Sequence, residues 1–295
     1  MDYIEANLNR NLTLAELAEV AQFSPYHFHR VFASTTGETL NTFVKRVRLE
    51  RAAARLRQNV REPIGDIAFE CGFVTPSAFA RSFKEQYVMT PTQWRSCNVE
   101  DRASSNTPRP TPSNQRYQVE QVGARWAVSG PSGMSTSVEI RQTSPCEVAY
   151  VRYVGPFQGS EQVFSDLYAS LYAWAEPHGF VHQRAAVFAI YHDNPGLTDD
   201  DKLRVSTCIE VPENTKESGA VGRLQITGGH YAVGSFTLRS DQYEAAWNML
   251  WSGWLPESGY EPSDGFTYER YPDATATSES MNVDICVPVR PLRGG

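Results

Sequence analysis

Two stretches of the first hundred residues decide the fold: residues 17–32 read LAEVAQFSPYHFHRVF, and residues 67–83 read IAFECGFVTPSAFARSF. Their leading parts correspond at a separation of fifty positions and their following parts at fifty-one, so the second stretch has one extra residue at its turn. In each stretch the apolar residues have the spacing of two short helices that meet at that turn. The sequence therefore predicts an all-α N-terminal domain that contains two helix-turn-helix units.

The predicted helices carry their own start and stop signals. Thr13 and Glu16 have the spacing of a capping box. Ser24 and Thr75 are each followed by a proline, which places a capping hydroxyl before the residue best tolerated at the first helical position. Gly37 is predicted to end the second helix in a left-handed conformation.

A longer helix is predicted between the two units, from residue 42 to residue 58. At 1.5 Å per residue it spans roughly 25 Å. This length suits two helix-turn-helix units that contact DNA about one turn, roughly 34 Å, apart. Its arginines either form a solvated face or neutralise phosphates, and the sequence leaves both interpretations open. These arginines are Arg46, Arg48, Arg51, Arg55 and Arg57.

Residues 1–97 resemble the DNA-binding domain of the AraC/XylS family of transcription regulators. The resemblance rests on residues 24–28, 48–52, 67–73 and 79–83. In that family, exposed positions near the start of each second helix contact bases in the major groove. The resemblance therefore implies that double-stranded DNA at a promoter is a partner, and it implies base contacts by Tyr26, His29, Arg30, Ser77, Ala80 and Arg81.

One position departs from the family pattern. Val88 stands where the family often has glycine, just before residues 89–91. A β-branched residue is disfavoured at positive φ, so we expect the helix that precedes Val88 to end differently from the one that precedes Gly37.

Composition limits the class of protein. The 295 residues allow two domains, and the net charge of −7 is unevenly spread. Residues 1–119 hold fifteen Lys and Arg against twelve Asp and Glu, a balance of +3, whereas residues 120–295 hold twelve against twenty-two, a balance of −10. Five cysteines without close pairing disfavour a disulfide framework and a structural metal site. Without a signal peptide or a long apolar run, we expect a cytoplasmic protein that has no membrane partner.

A change in composition separates the two halves. Residues 98–116 are rich in Ser, Asn, Thr and Pro and form no apolar stripe, which is typical of a linker. Residues 117–135 either add a strand or remain irregular. We therefore assign residues 98–135 to a linker and a poorly defined segment, and residues 136–291 to a second domain.

The second domain shows the same order of elements twice. Strands are predicted around residues 138–154, a helix over 162–174, and strands at 187–191 and 205–209. The order recurs as a strand over 231–238, a helix over 242–254, and strands at 266–271 and 283–287. Two strand-helix-strand-strand units indicate an α+β domain that arose by internal duplication.

This half is similar to the GyrI-like small-molecule-binding domains found behind several regulatory DNA-binding domains. The similarity rests on residues 151–157, 190–195, 228–233, 268–271 and 284–289. In that family an inward carboxylate between aromatic residues often binds lipophilic cations, and here it corresponds to Glu269.

The chemistry of such a site is favourable. A carboxylate is costly in an apolar pocket unless a cation neutralises it, and aromatic faces attract that cation further. Glu269 shares a strand face with Thr267 and Tyr271 because side chains alternate along a strand. The candidate walls, each of which can instead be plain core, are Tyr150, Tyr153, Tyr191, Trp247, Trp251 and Tyr271. From sequence alone, Glu269 can also be a solvated or ion-paired strand residue.

The sequence contains no metalloprotease, phosphate-loop or nucleophile-elbow motif. We therefore predict a regulator rather than an enzyme, with no catalytic residue, cofactor or metal. Its effector is expected to be a small cationic or amphipathic molecule, and RNA polymerase is a possible further partner. Two alternatives stay open: hydrolysis of a small molecule at Glu269, and binding of a protein partner by the second domain.

Overall fold

A computed structural model of the chain divides it into two compact units, Met1–Thr107 and Pro108–Gly295. None of the described helices has the length and the hydropathy needed to cross a bilayer. The structure describes residues 1–58, 62–96, 117–130, 133–181, 186–216, 219–272 and 280–292.

The described part of the first unit is helical, as predicted. Thr13 Oγ1 accepts a hydrogen bond from the Glu16 amide at 3.2 Å, whereas the Glu16 carboxylate accepts one from the Tyr3 hydroxyl at 2.8 Å rather than closing the predicted capping box. The helices are α1 (Asp2–Ala6), α2 (Leu14–Val20), α3 (Pro25–Thr36), α4 (Leu40–Gln58), α5 (Ile64–Glu70), α6 (Pro76–Tyr87) and α7 (Pro91–Ser96).

Helix α4 divides the core of this unit into two parts. On the side of the first helix-turn-helix, Phe43 of α4 packs edge-on against Phe32 of α3, with ring centroids 5.3 Å apart. On the side of the second, Trp94 packs against Phe83 and donates its indole N–H to the Ala53 carbonyl oxygen of α4 at 3.1 Å. Helix α4 thus packs against both helix-turn-helix units.

The arginines of α4 make contacts within the protein. Arg46 is 7% exposed and bonds both Glu38 and Glu50. Arg48 donates to the carbonyl oxygens of Leu8 and Arg10 at 2.9 and 2.7 Å. Arg55 pairs with Glu62 and Glu70, and Arg57 lies over the Trp94 ring at 4.3 Å. The solvated interpretation is thus wrong for Arg46, which is buried against its acceptors, whereas Arg57 is exposed. Phosphate contacts by the arginines of α4 stay a prediction.

The expectation that α6 ends differently from α3 is also wrong. Gly37 has φ 72° and its amide donates to the Ala33 carbonyl oxygen, and Val88 has φ 60° and its amide donates to Lys84 in the same way. Both helices therefore end with a left-handed residue. Val88 adopts this conformation in spite of its β-branched side chain, since the capping hydrogen bond and the chain that follows fix it there.

The second unit contains one antiparallel sheet with the strand order β1-β2-β3-β8-β11-β10-β5-β6-β4-β7, and β9 pairs with β11 beside it. The first two strands lie in the segment for which the sequence left a strand or an irregular chain open. The strands are β1 (Gln118–Val122), β2 (Arg125–Ser129), β3 (Ser135–Thr143), β4 (Cys146–Val154), β5 (Val187–Tyr191), β6 (Arg204–Glu210), β7 (Gly222–Ile226), β8 (Gly229–Leu238), β9 (Tyr260–Pro262), β10 (Thr267–Tyr271) and β11 (Met281–Pro291).

The predicted duplication is present. One repeat is β4, helix α8 (Glu161–Ala175), β5 and β6, and the other begins with β8 and ends with β10 and β11. The repeats meet at the centre of the sheet, where β5 pairs with β10 and Ala189 lies opposite Glu269. Residues of α8 and of the second helix pack on the face that includes Ala189, which forms the larger core.

The helix of the second repeat is irregular, unlike α8. The sequence predicts one helix over residues 242–254, but the structure has a 3-10 turn at Ser240–Gln242, helix α9 at Tyr243–Asn248 and π-helical geometry at Met249–Trp254. A last short turn, α10, covers Leu255–Glu257. Wide π-type turns are rare and are frequently found at functional sites.

Candidate functional site

The residues predicted to contact bases in the first helix-turn-helix unit lie at the exposed start of α3. Ser24 Oγ accepts a hydrogen bond from the His27 amide at 3.3 Å, which fixes the first turn. Tyr26 is 73% exposed, and His29 and Arg30 are also exposed. The guanidinium carbon of Arg30 lies 5.8 Å from the centre of the Tyr26 ring, one helical turn away.

The second helix-turn-helix unit repeats this arrangement with smaller side chains. Thr75 Oγ1 accepts from the Ala78 amide at 3.1 Å, so α6 begins as α3 does. Ser77 and Arg81 are exposed, and Ala80 is partly buried. Ser77 occupies the position of Tyr26, so Arg81 has no aromatic ring one turn before it. The two helices therefore present one arginine at the same place on different local surfaces.

The second candidate site is centred on Glu269 of β10, which is 1% exposed. Its Oε2 accepts hydrogen bonds from the hydroxyls of Tyr191 and Tyr271, at 2.8 and 2.7 Å. Its Oε1 accepts one from the indole N–H of Trp247, at 2.7 Å. All three donors are neutral. The carboxylate is thus hydrogen-bonded, but these donors bring no positive charge to balance it.

Burial controls the acid–base properties of this site. Burial raises the pKa of Glu269, while the hydrogen bonds from Tyr271, Trp247 and Tyr191 oppose that rise. The pKa values of Tyr191 and Tyr271 lie well above their usual range, first because of burial and then because of the nearby Glu269 charge. The hydroxyls therefore stay protonated and act as donors.

The structure brings some of the predicted walls to Glu269 and separates one from it. Tyr191, Trp247 and Tyr271 bond its carboxylate directly. Tyr153 and Tyr191 both pack against the small cluster that contains Phe157, and Trp251 packs against the larger core. A role of Tyr153 and Trp251 in the effector pocket stays a prediction.

Tyr150 is the exception, and the prediction that it lines the pocket is wrong. Along β4, Val151 and Tyr153 pair with Thr207 and Val205, whereas Tyr150 pairs with Cys208 on the opposite face. The ring of Tyr150 lies against Gly222, where a Cβ atom would be 2.6 Å from it. Alternation along the strand therefore points Tyr150 away from Glu269.

Sequence reasoning missed two tyrosines of the site. Tyr168 of α8 packs edge-on against Tyr271, with ring centroids 6.3 Å apart, and the Glu269 charge contributes to raising its pKa. Tyr243 opens α9, and its hydroxyl hydrogen-bonds Tyr271. The signal for Tyr243 was present, since Tyr243, Trp247 and Trp251 recur every four residues, the spacing of one helical face.

The arrangement is closed around the carboxylate. With Glu269 1% exposed, a ligand reaches its oxygens only after one of the three donors moves. Trp247 is the donor on the irregular helix, whereas Tyr191 and Tyr271 lie on the sheet. A cation that entered would meet a carboxylate between aromatic rings, a combination that recognises organic ammonium and phosphonium groups.

Comparison with known proteins assigns both halves. Residues 17–96 match a helix-turn-helix domain, and residues 136–290 match the GyrI-like small molecule binding domain. The resemblances drawn from the sequence are thereby confirmed.

Three relatives illustrate the match. The DNA gyrase inhibitor of Escherichia coli is 30% identical over 156 residues, which are 52% of this chain and 96% of that protein. The right origin-binding protein of Escherichia coli is 34% identical over 93 residues, 32% of either chain. The bifunctional transcriptional activator/DNA repair enzyme AdaA of Bacillus subtilis is 37% identical over 94 residues, 32% of this chain and 44% of that protein. The chain spans less than half of the last two.

Proposed function

Because this chain belongs to the family of proteins with a GyrI-like small molecule binding domain and joins that domain to a helix-turn-helix domain, we propose that it is a transcriptional regulator that senses an organic cation at Glu269. The first unit binds promoter DNA through α3 and α6. The second unit binds the effector and changes the affinity for DNA or the contact with RNA polymerase, which requires the ligand to prefer one of two arrangements.

One observation supports the effector class above all: a carboxylate that is 1% exposed and whose bonded partners are two phenols and an indole. Keeping such a group charged costs free energy, and its pKa is raised accordingly. A monovalent cation with an apolar surface offsets that cost without bringing further polar groups into the core.

Calorimetric titration with tetraphenylphosphonium tests the proposal. We expect Glu269→Gln to weaken binding by about tenfold or more, which corresponds to at least about 1.4 kcal/mol. Glu244→Gln, which changes an exposed carboxylate on α9, is the matched control and should bind as the parent does. Unchanged affinity in Glu269→Gln removes the carboxylate from the effector site.

The pH dependence of binding provides a second readout. Because the pKa of Glu269 is raised, its carboxylate takes up a proton earlier than an exposed glutamate as the pH falls. We therefore expect cation affinity to decrease as the pH falls through that raised pKa and to reach a plateau above it. Glu269→Gln should abolish this dependence.

The same geometry supports hydrolysis as a second candidate function. A glutamate with a raised pKa, bonded to two phenol hydroxyls, is suited to general acid–base chemistry. Mass spectrometry of a candidate ester after incubation with the protein distinguishes this function, since turnover that is lost in Glu269→Gln supports an enzyme.

A protein partner is the third candidate. It draws support from the match over 96% of a DNA gyrase inhibitor. Addition of the full chain to a gyrase supercoiling assay tests it, with inhibition as the supporting result. A cytoplasmic location and a contact with RNA polymerase stay predictions.

A further inference from the structure

The chain that enters the sheet of the second unit is anchored on the π-helical segment Met249–Trp254. The ring of Tyr117, the residue just before β1, lies so close to Gly253 that a Cβ atom there would be 2.9 Å from it. The Trp126 ring of β2 packs edge-on against Trp254, with centroids 5.6 Å apart. Tyr117 is also the first described residue after positions 98–116, which connect the two units in sequence.

Helix α9, which leads directly into this segment, contacts the carboxylate of Glu269. Trp247 donates its indole N–H to Glu269 Oε1 at 2.7 Å, and the π-helical segment begins two residues later, at Met249. Only five residues thus separate Trp247, which covers the carboxylate, from Gly253, which lies under the Tyr117 ring. A displacement of Trp247 can therefore reach the contact between Gly253 and Tyr117 through a short stretch of backbone.

The π-helical geometry can in principle convert into an α-helical turn. A π turn holds one more residue than an α turn, so a local conversion between them rotates every later side chain of the segment. The corresponding helix of the first repeat, α8, is α-helical from Glu161 to Ala175, and the residue opposite Glu269 in that repeat is Ala189. The wide turn and the carboxylate therefore occur together in one repeat.

We propose that Met249–Trp254 transmits effector binding to the chain that leads to the DNA-binding unit. This inference rests on the function proposed above. A cation that reaches Oε1 takes the place of the Trp247 indole, and the helix shifts to release it. The shift moves Gly253 and Trp254, so Tyr117 and Trp126 repack and the direction in which the chain enters β1 changes.

Gly253 and Tyr117 provide the test in the full chain. DNA affinity is measured with and without tetraphenylphosphonium, together with cation affinity by calorimetry. We expect the cation to change the DNA affinity of the parent by about fivefold or more. In Gly253→Ala and Tyr117→Ala the change should fall to less than about twofold, while each variant still binds the cation and, without it, binds DNA like the parent.

Matched controls separate transmission from loss of structure. Tyr117→Phe keeps the ring atoms that face Gly253, and Ser252→Ala alters an exposed neighbour; both should retain the coupling of the parent. Amide hydrogen exchange of residues 117–122 in the parent should change when the cation binds, which needs no variant.

Two results overturn the inference while leaving the effector site in place. One is a parent that binds the cation without any change in DNA affinity or in the exchange of residues 117–122. The other is full coupling in both alanine variants. A parent that does not bind tetraphenylphosphonium overturns the proposed effector as well.

Discussion

The two helix-turn-helix units have the same backbone but place their glycines at opposite positions. Each unit has a left-handed residue at its turn and another at the end of its second helix. In the first unit these are Gln22 (φ 56°) and Gly37 (φ 72°), and in the second they are Gly72 (φ 85°) and Val88 (φ 60°). Backbone geometry is therefore kept in both copies, while the residue that best suits it is present at only one position in each.

The atoms around Gly72 explain why glycine is required at that position. A Cβ atom on Gly72 would lie 2.1 Å from the Leu8 carbonyl oxygen and 2.8 Å from Arg48 Nε, whereas a Cβ atom on Gly37 would meet nothing within 4 Å. Arg48 also donates to that Leu8 oxygen. The second turn therefore packs against the connection between α1 and α2, and it does so where only glycine fits.

Adding a Cβ atom at Gly72 should destabilise the protein most. Gly72→Ala should lower the free energy of unfolding by about 3 kcal/mol, because the clash is with a backbone oxygen and with a hydrogen-bonded guanidinium. Gly37→Ala, the matched control, should cost about 1 kcal/mol, since only the backbone conformation is strained. Urea denaturation of the full chain, followed by a probe of the helical unit, measures both. Equal losses would contradict the difference between the two turns.

The reading surfaces provide the second test. Arg30 lies over Tyr26, whereas Arg81 follows Ser77, so Arg30 is held in place before DNA arrives. We expect Arg30→Ala to weaken binding to a selected site by about 2 kcal/mol and Arg81→Ala by about 1 kcal/mol. Fluorescence anisotropy with the selected site and with a scrambled duplex measures the effect. An equal loss on both duplexes would reassign Arg30 to a phosphate contact.

Relief of strain should give the smallest effect. Val88→Gly removes a β-branched side chain from a left-handed position, and the gain is partly offset by the greater freedom of glycine in the unfolded chain. The net stabilisation should be about 0.5 kcal/mol. Gln22→Gly should give a smaller gain because its side chain is unbranched at Cβ. Thermal unfolding at matched concentration measures both, and a loss of stability in Val88→Gly would show that its side chain makes a compensating contact.

The helix starts were predictable because they depend on local rules, and the inward position of Glu269 was predictable from the family resemblance. Ser24 and Thr75 cap α3 and α6 as their sequences indicate, and Glu269 faces the core with Tyr271 through strand alternation. The same alternation could have excluded Tyr150, since residues 150 and 153 of one strand face opposite sides.

Other features depend on residues distant in sequence. The partners of Arg48 are carbonyl oxygens forty and thirty-eight positions away, which no local pattern reveals. The π-helical geometry at Met249–Trp254 lies where Tyr117 and Trp126 pack, and its residues read as an ordinary amphipathic helix. Local sequence rules therefore reveal neither feature.

The protein is a helix-turn-helix DNA-binding regulator with a small-molecule-binding domain, and we expect α3 and α6 to contact the same duplex. Hydroxyl-radical footprinting on a site selected from random DNA, with the protein at a concentration where it is a monomer, tests this expectation. We expect protection to flank two adjacent major-groove segments about one helical turn, roughly 34 Å, apart, with Arg81→Ala weakening one segment alone. Protection at a single segment, unchanged by Arg81→Ala, would contradict it.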